Sequence, residues 1–262
     1  MWDPVKYLDF ADHRGRPFYD LISRVGAPDP RLVVDLGCGP GTLTGALRER
    51  WPGATVQALD SSPEMVAAAR GRGIAAEVMD VAAWRPPEDA DVVICNAVLQ
   101  WVPKHEELLR RWVGELPAGA WLAFQVPGNF GAPSHAIVRE LAAGPRWRSE
   151  LAQTTLRGED AVLQLDGYAA MLTAAGGLVD AWETTYLQRL SGEDPVLEWI
   201  SGTSLRPVKA ALPGDRWAQF RADLAPRLRA AYPRRSDGGT WFPFRRIFVV
   251  ARVPAPLSGG AA

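Results

Sequence analysis

Arg31-Leu32-Val33-Val34-Asp35-Leu36-Gly37-Cys38-Gly39-Pro40-Gly41 is a short, β-branched apolar run that stops at glycines. The apolar part, Arg31 to Leu36, reads as a fully buried parallel strand. Gly37, Gly39 and Gly41 strip side chains from the turn that follows. The backbone can then touch a ligand, and the next helix presents unpaired N–H groups to it. A dinucleotide-binding loop shares these features. Two details point elsewhere. The spacing is GxGxG rather than GxGxxG, and Asp35 sits where a pyrophosphate would be repelled. A ligand carrying an amino or sulfonium cation would be attracted there.

The same rhythm continues outward. Leu43 to Trp51 has helical spacing and ends at Pro52-Gly53. Thr55 to Leu59 is a second strand, closed by Asp60. Ser61-Ser62-Pro63-Glu64 is a helix start, with a hydroxyl cap, Pro in the first turn and an acid, and the helix runs from Met65 to about Arg72. Ala76 to Met79 is a third strand ending at Asp80. Asp91 to Cys95 is a fourth, ending at Asn96. His105 to Leu116 is an amphipathic helix, and Ala120 to Val126 a fifth strand. The alternation predicts an α/β fold with a doubly wound, mostly parallel sheet and helices on both faces. Ligands bind outside the carboxyl ends of such strands. Here those ends carry the glycines, Asp60, Asp80 and Asn96.

The second half is less regular. Ser134 to Ala143, Gly167 to Ala175, Pro195 to Thr203 and Trp217 to Tyr232 have helical spacing. Leu178 to Leu190 and Phe244 to Val253 read as strands. The expected organisation is one domain over 1–254. Its core sheet covers about 31–190 and 244–253, a helical cap is inserted over about 191–240 before the last strand, and 255–262 form a disordered tail.

Composition narrows the partners. The 262 residues carry a formal net charge of -1, so no global basic field exists to attract nucleic acid or anionic lipid. Lys6, Lys104 and Lys209 supply only three of the 29 basic residues, and the arginines offer many planar forks for carboxylates. Cys38 and Cys95 match no CxxC or zinc spacing, so no metal is expected. Met1 to Phe10 lacks the basic start and apolar core of a signal peptide. No apolar run approaches a membrane span. The expected location is cytoplasmic, with a small-molecule partner, no nucleic acid, no membrane and no obligate protein partner.

In order and spacing, DLGCGPG, LDSSPEM, MD and CNAVLQW resemble the Rossmann-like class I S-adenosylmethionine methyltransferases. The resemblance covers roughly Arg31 to Val126. It implies S-adenosylmethionine as cofactor and S-adenosylhomocysteine as product. It implies that Gly37, Cys38 and Gly39 meet the methionine and ribose, with Asp35 and Gly41 in the same loop. Asp60 would hold the ribose hydroxyls, beside Ser61; two acceptor oxygens at that strand end suit a diol. Asp80, beside Val81, would accept from the adenine amine. The backbone at Asn96 and Ala97 would face the methionine amino group. Met65 is placed to pack on a base, and Tyr7 and Trp2 to form an N-terminal flap.

A closer resemblance runs over nearly the whole chain. Trp2-Asp3-Pro4, Arg16-Pro17-Phe18, Leu99 to Leu109, Gln125 to His135, Trp182 to Gly192, AAYPRRSDGG and FPFRRIFVVA are similar to the trans-aconitate methyltransferases. This implies methyl transfer to one carboxylate of trans-aconitate, giving a monomethyl ester. A carboxylate is already ionised near neutral pH, so no general base and no catalytic side chain are expected. Alignment and desolvation supply the rate. Candidates to hold the acid are Arg206, Arg246, Asn129 and His135, with Trp101, Tyr232 and Trp241 as walls. Arg14, Arg16, Arg245 and Phe242 are further candidates. Arg245 and Arg246 are adjacent on one strand and point to opposite faces. Three other readings share the glycine loop: a methyltransferase for another acid, a phenol or a carbon acid; an NAD-dependent oxidoreductase; and a silent cofactor-binding module.

Overall fold

The computed structural model describes residues 11–255. The expected flap residues Trp2 and Tyr7, and the expected tail beyond residue 255, lie outside the described residues. The side chain of Arg14 lies outside them too.

Five parallel strands form the centre: β1 (Leu32–Leu36), β2 (Thr55–Asp60), β3 (Ala76–Val78), β4 (Ala90–Asn96) and β5 (Trp121–Pro127). With β6 (Leu178–Leu190) and β7 (Thr240–Arg252) they make one seven-stranded sheet of order β3-β2-β1-β4-β5-β7-β6. Val253 exchanges backbone hydrogen bonds with Gly119 and Ala120, at the opposite end of β5 from Gly128, which bonds Arg245; β7 therefore runs antiparallel to β5. The order reverses between β1 and β4. That reversal is where a doubly wound sheet opens a crevice at its carboxyl ends.

Burial follows position in the sheet. Every residue of β1 is buried, while β3 and β6 at the two edges are largely exposed. This is why β1 reads as a continuous apolar run and β6 as an alternating one. The helix after β1 is α2 (Thr44–Arg50), and that after β2 is α3 (Pro63–Arg70). Ser62 caps α3 by accepting from the Met65 N–H (3.3 Å), with Pro63 in the first turn, as the sequence predicts. Helices α4 (His105–Glu115) and α6 (Leu165–Ala174) meet through a buried pair, His105 Nε2 and the Tyr168 hydroxyl, 2.6 Å apart. His105 Nδ1 faces the Val102 carbonyl (3.3 Å), which can only accept. Nδ1 therefore donates to it, and burial lowers the pKa of the ring.

Two features depart from the sequence expectation. Helix α1 (Ala11–Ser23) contains Gly15 and Pro17, poor helix formers that hide it from local propensity. Strand β7 begins at Thr240, not Phe244, because extended pairing carries the chain earlier into the sheet.

The chain divides into two compact units. Among the described residues the first holds 11–126, 163–184 and 246–255, and the second 127–162 and 185–245. The second is mainly helical, with α5 (Pro133–Ala143), α7 (Pro195–Ser201), α8 (Arg206–Ala211) and α9 (Asp215–Ala231). Phe220, Leu224, Ala225 and Leu228 form the buried face of α9, at helical spacing. Asp223 on the same helix takes the Trp147 indole N–H and the Arg146 guanidinium, each at 2.9 Å. No helix among the described residues is long and apolar enough to cross a membrane.

Candidate active site

Asp60 ends β2 and organises the loop across from it. Its Oδ2 accepts from the Gly39 N–H (2.8 Å), and its Oδ1 from the Ser62 N–H (2.9 Å). One carboxylate thus ties the glycine turn to the start of α3. Each oxygen keeps a second lone pair for a ligand hydroxyl. Gly37 and Cys38 both donate to the Leu59 carbonyl, at 2.7 and 2.9 Å, locking the turn to β2.

The glycines differ in purpose. Gly37 has φ +79°, and a Cβ there would come within 2.2 Å of Val98 Cγ2. Gly39 has φ +56°, and a Cβ there would meet nothing within 4 Å among the described residues. Its bare backbone faces open space, the kind of cradle an S-adenosyl group would fill.

Asp35 is buried and accepts from the Thr44 hydroxyl (2.7 Å). Burial pushes its pKa up to about 6; the Thr44 bond works against this and the Asp60 charge adds to it. Burial raises both neighbouring thiols, Cys38 and Cys95, and the negative charge of Asp35 adds to the rise. Such a site favours a ligand that brings a positive charge. A raised acid pKa means that the folded state holds the proton more tightly than the unfolded chain. Stability therefore falls as pH rises from about 4 through about 6, and the loss persists above. Asp35→Asn should remove this cost, about 3 kcal/mol or about 9 °C in Tm at pH 8, and less of it at pH 5.5. The same change should shrink the stabilisation given by S-adenosylhomocysteine. Thermal unfolding at both pH values, with and without that ligand, checks this. Equal ligand shifts in the two proteins would overturn the role given to Asp35.

Asp80 is exposed, two residues beyond the end of β3, and its Oδ1 accepts from the Ala82 N–H (2.9 Å). Val81 and Met65 are buried, and Ser61 is exposed. Across the crevice, Asn96 ends β4 and Ala97 follows with φ +58°, a strained conformation for a residue with a Cβ. The Ala97 N–H donates to the Gln125 carbonyl (2.9 Å), and its own carbonyl accepts from Gln100 Nε2 (2.6 Å).

A polar chain extends from there. Gln125 Nε2 donates to Asn96 Oδ1 (2.6 Å), and Arg246 Nη1 donates to Gln125 Oε1 (3.1 Å). Arg246 is only 6% exposed. Its neighbour Arg245 turns away and donates to the Gly128 carbonyl (3.0 Å), as strand alternation requires. Gln125, which joins Asn96 to Arg246, was not singled out by the sequence reading. Its signal was available: it is the one polar side chain inside an apolar strand.

The remaining candidates scatter. Trp101 is 38% exposed, at the end of a 3₁₀ turn after β4. In the second unit Asn129 is 5% exposed, and neither polar atom of its side chain has a hydrogen-bond partner among the described residues. His135 is half-buried on α5, and Arg206 is half-buried at the start of α8. The Tyr232 hydroxyl accepts from the Ser134 N–H (3.0 Å) near the start of α5, an anchoring bond. Trp241 is 37% exposed, whereas Phe242 beside it is fully buried. Arg16 is exposed on α1.

A seven-stranded doubly wound sheet with a glycine turn, an acid at the end of β2 and an Asn at the end of β4 is the architecture of a methyltransferase domain, and the model of that family matches residues 10–176. The YcgJ protein from Bacillus subtilis shares the fold at TM-score 0.59 and 15% identity, covering 91% of this chain and 98% of its own. The Haemonchus contortus phosphoethanolamine N-methyltransferase 2, solved with S-adenosylhomocysteine, matches at TM-score 0.52 and 15% identity over 91% of this chain, which spans 52% of that protein. The [4+2]-cyclase SpnF matches at TM-score 0.53 and 18% identity over 92% of this chain and 81% of its own, so the fold alone does not decide the reaction. Sequence comparison is sharper. The trans-aconitate 2-methyltransferase of Rhodococcus jostii is 64% identical over 97% of this chain and 100% of its own length. That of Mycobacterium tuberculosis is 55% identical over 99% of this chain and 100% of its own. The chain belongs to this trans-aconitate 2-methyltransferase family.

Proposed function

We propose that the chain is an S-adenosylmethionine-dependent O-methyltransferase that esterifies one carboxylate of trans-aconitate. The observation that carries this reading is full-length similarity to relatives of that name, over a chain whose strand ends hold the matching loop. When bound, S-adenosylmethionine supplies an electrophilic methyl group on a positively charged sulfur.

The chain's own residues suit binding and alignment. Asp60 would accept from the ribose hydroxyls with the lone pairs that the loop N–H groups leave open. The bare backbone at Gly39 makes room beside it, with Cys38 alongside. Gly41 closes the turn. Asp35 would offset the positive charge of the methionine end, and Asp80 is open to the adenine amine. Asn96, held by Gln125, would fix the β4 end, with Ala97, Met65 and Val81 shaping the crevice wall.

The acceptor oxygen is already anionic near pH 7, so positioning and loss of water can carry the step. Arg246, buried and aligned by Gln125, is suited to counter the reacting carboxylate. Asn129, whose side-chain polar atoms have no partner among the described residues, offers a donor and an acceptor to a polar ligand. His135 is poorly suited to act as a base. Its pKa is pushed down to about 4 by burial first and then by Arg139 and Arg157. The free thiols Cys38 and Cys95 suit a reducing compartment, and a cytoplasmic location is part of this reading.

The test is methyl transfer from labelled S-adenosylmethionine to trans-aconitate, cis-aconitate, citrate, isocitrate and a simple phenol, with product mass. A base-labile monomethyl ester of trans-aconitate should dominate. Methylation of the phenol with none of the acids would overturn the proposal.

A further inference from the structure

Three neighbouring strands of the first unit each give one polar side chain to a single row: Asn96 on β4, Gln125 on β5 and Arg246 on β7. Asn96 and Gln125 are register partners, so their side chains leave the same face of the sheet. Gln125 is 1% exposed and Arg246 is buried, while Asn96 is half-buried at the end of β4. The row is therefore closed at Arg246 and more open at Asn96.

Donors and acceptors along the row allow one reading. A guanidinium can only donate. The Gln125 atom that faces Arg246 Nη1 at 3.1 Å is therefore its oxygen, Oε1. That fixes the Gln125 amide, because its NH2 group then lies on the other side, 2.6 Å from the Asn96 side chain. The Asn96 atom facing this donor must be its acceptor, Oδ1. Asn96 Nδ2 is left turned away from Gln125, with its N–H groups directed elsewhere. A permanent cation thus sets, through Gln125, which end of the Asn96 amide faces outward. This holds whatever else Arg246 touches, because it uses the Nη1 bond alone. The backbone alongside is fixed too. The Ala97 N–H donates to the Gln125 carbonyl (2.9 Å) and the Ala97 carbonyl accepts from Gln100 Nε2 (2.6 Å), which pins Ala97 at φ +58°.

We propose that Gln125 is a positioning residue: it holds Asn96 with Nδ2 outward, where Nδ2 donates to a carboxylate oxygen of a bound reactant. Two reactants carry that group, the cofactor at its methionine end and the acid. The inference rests on the methyltransferase reading above and deepens it.

Full-length wild type, Gln125→Glu, Gln125→Met and Asn96→Asp are compared by thermal unfolding, by calorimetric titration with S-adenosylhomocysteine, and by KM for trans-aconitate at saturating S-adenosylmethionine. Gln125→Glu still accepts from Arg246 but has no donor for Asn96, whose amide must turn Nδ2 inward and Oδ1 outward. Both bonds of the row survive, one of them now charge-assisted, so Tm should stay within about 3 °C of wild type. An acceptor would then face the carboxylate, and the Kd or the KM should rise about 10-fold to 100-fold. Gln125→Met should behave oppositely. It removes both bonds, so Tm should fall by about 5 °C. It also leaves the Asn96 amide able to turn to suit the ligand, so both constants should stay within about fivefold of wild type. Asn96→Asp, which can only accept, should raise the same constant as Gln125→Glu. The more stable Gln125 variant is thus the weaker binder, an order that a purely structural role would reverse. A rise in Kd with an unchanged KM assigns the carboxylate to the cofactor, and the converse assigns it to the acid. Both constants within threefold of wild type in Gln125→Glu, a loss confined to kcat, or affinities that follow Tm would overturn the proposal and leave the methyltransferase reading intact. If wild type binds S-adenosylhomocysteine yet methylates no acid, the functional proposal falls and the titration alone decides this one. A wild type that does neither overturns both.

Discussion

Asp60→Ala is expected to raise the KM for S-adenosylmethionine by about two orders of magnitude and to lower kcat less than tenfold. The carboxylate accepts from Gly39 and Ser62 and still has acceptor capacity toward the crevice. Two ribose hydroxyls donating to it would form charge-assisted bonds, about 1.5–3 kcal/mol each. Losing the pair corresponds to about 10²-fold to 10⁴-fold in affinity, and the lower end is expected where water replaces part of the loss. Asp60 does not reach the transferred methyl in this reading, so the loss is one of binding. Part of the effect will come from a loosened glycine turn. Asp60→Asn separates the two, since its amide oxygen can still take one loop N–H while its amine repels the other. A KM within threefold of wild type for the Ala variant, by initial rates at varied S-adenosylmethionine, would show that the ribose is held elsewhere.

Gly37→Ala should destabilise the protein by about 3 kcal/mol, in contrast to the same change two residues on. At position 37 the new methyl would lie 2.2 Å from Val98 Cγ2 and 3.0 Å from Cγ1, and φ is +79°. The backbone term is about 1 kcal/mol and the overpacking term about 1–3 kcal/mol. Adding Val98→Ala should return the second and leave the first. At position 39 the space around a Cβ is open, so only the backbone term of about 1 kcal/mol applies to stability. There the methyl would occupy the cradle instead, and S-adenosylhomocysteine affinity should fall more than stability. Urea denaturation and ligand titration on the three variants measure both. Equal destabilisation at 37 and 39 would mean that Val98 yields without cost.

How far each level of description reaches is visible in particular residues. The buried strands β1, β4 and β5 are legible because each is a short apolar run, and parallel pairing buries both faces. Helix α3 is legible because its cap, its Pro and its acid are adjacent in the chain. Helix α1 is not, because Gly15 and Pro17 oppose it locally. Among the arginines, nothing in the sequence separates Arg246, buried on β7 against Gln125, from Arg16, exposed on α1.

The sequence by itself determined the alternation of strands and helices, the glycine turn after β1, and the acids following β2 and β3. These depend on propensity, periodicity and neighbours a few positions away. Only the tertiary structure decided that Asp60 closes on Gly39, 21 positions back, that Gln125 links Asn96 to Arg246, 121 positions on, and that Arg139, Arg157 and Ser204 share a cleft. A guanidinium or a carboxamide looks the same in any sequence. Whether it meets water or a buried partner is set by strand register and by helices packed from distant parts of the chain.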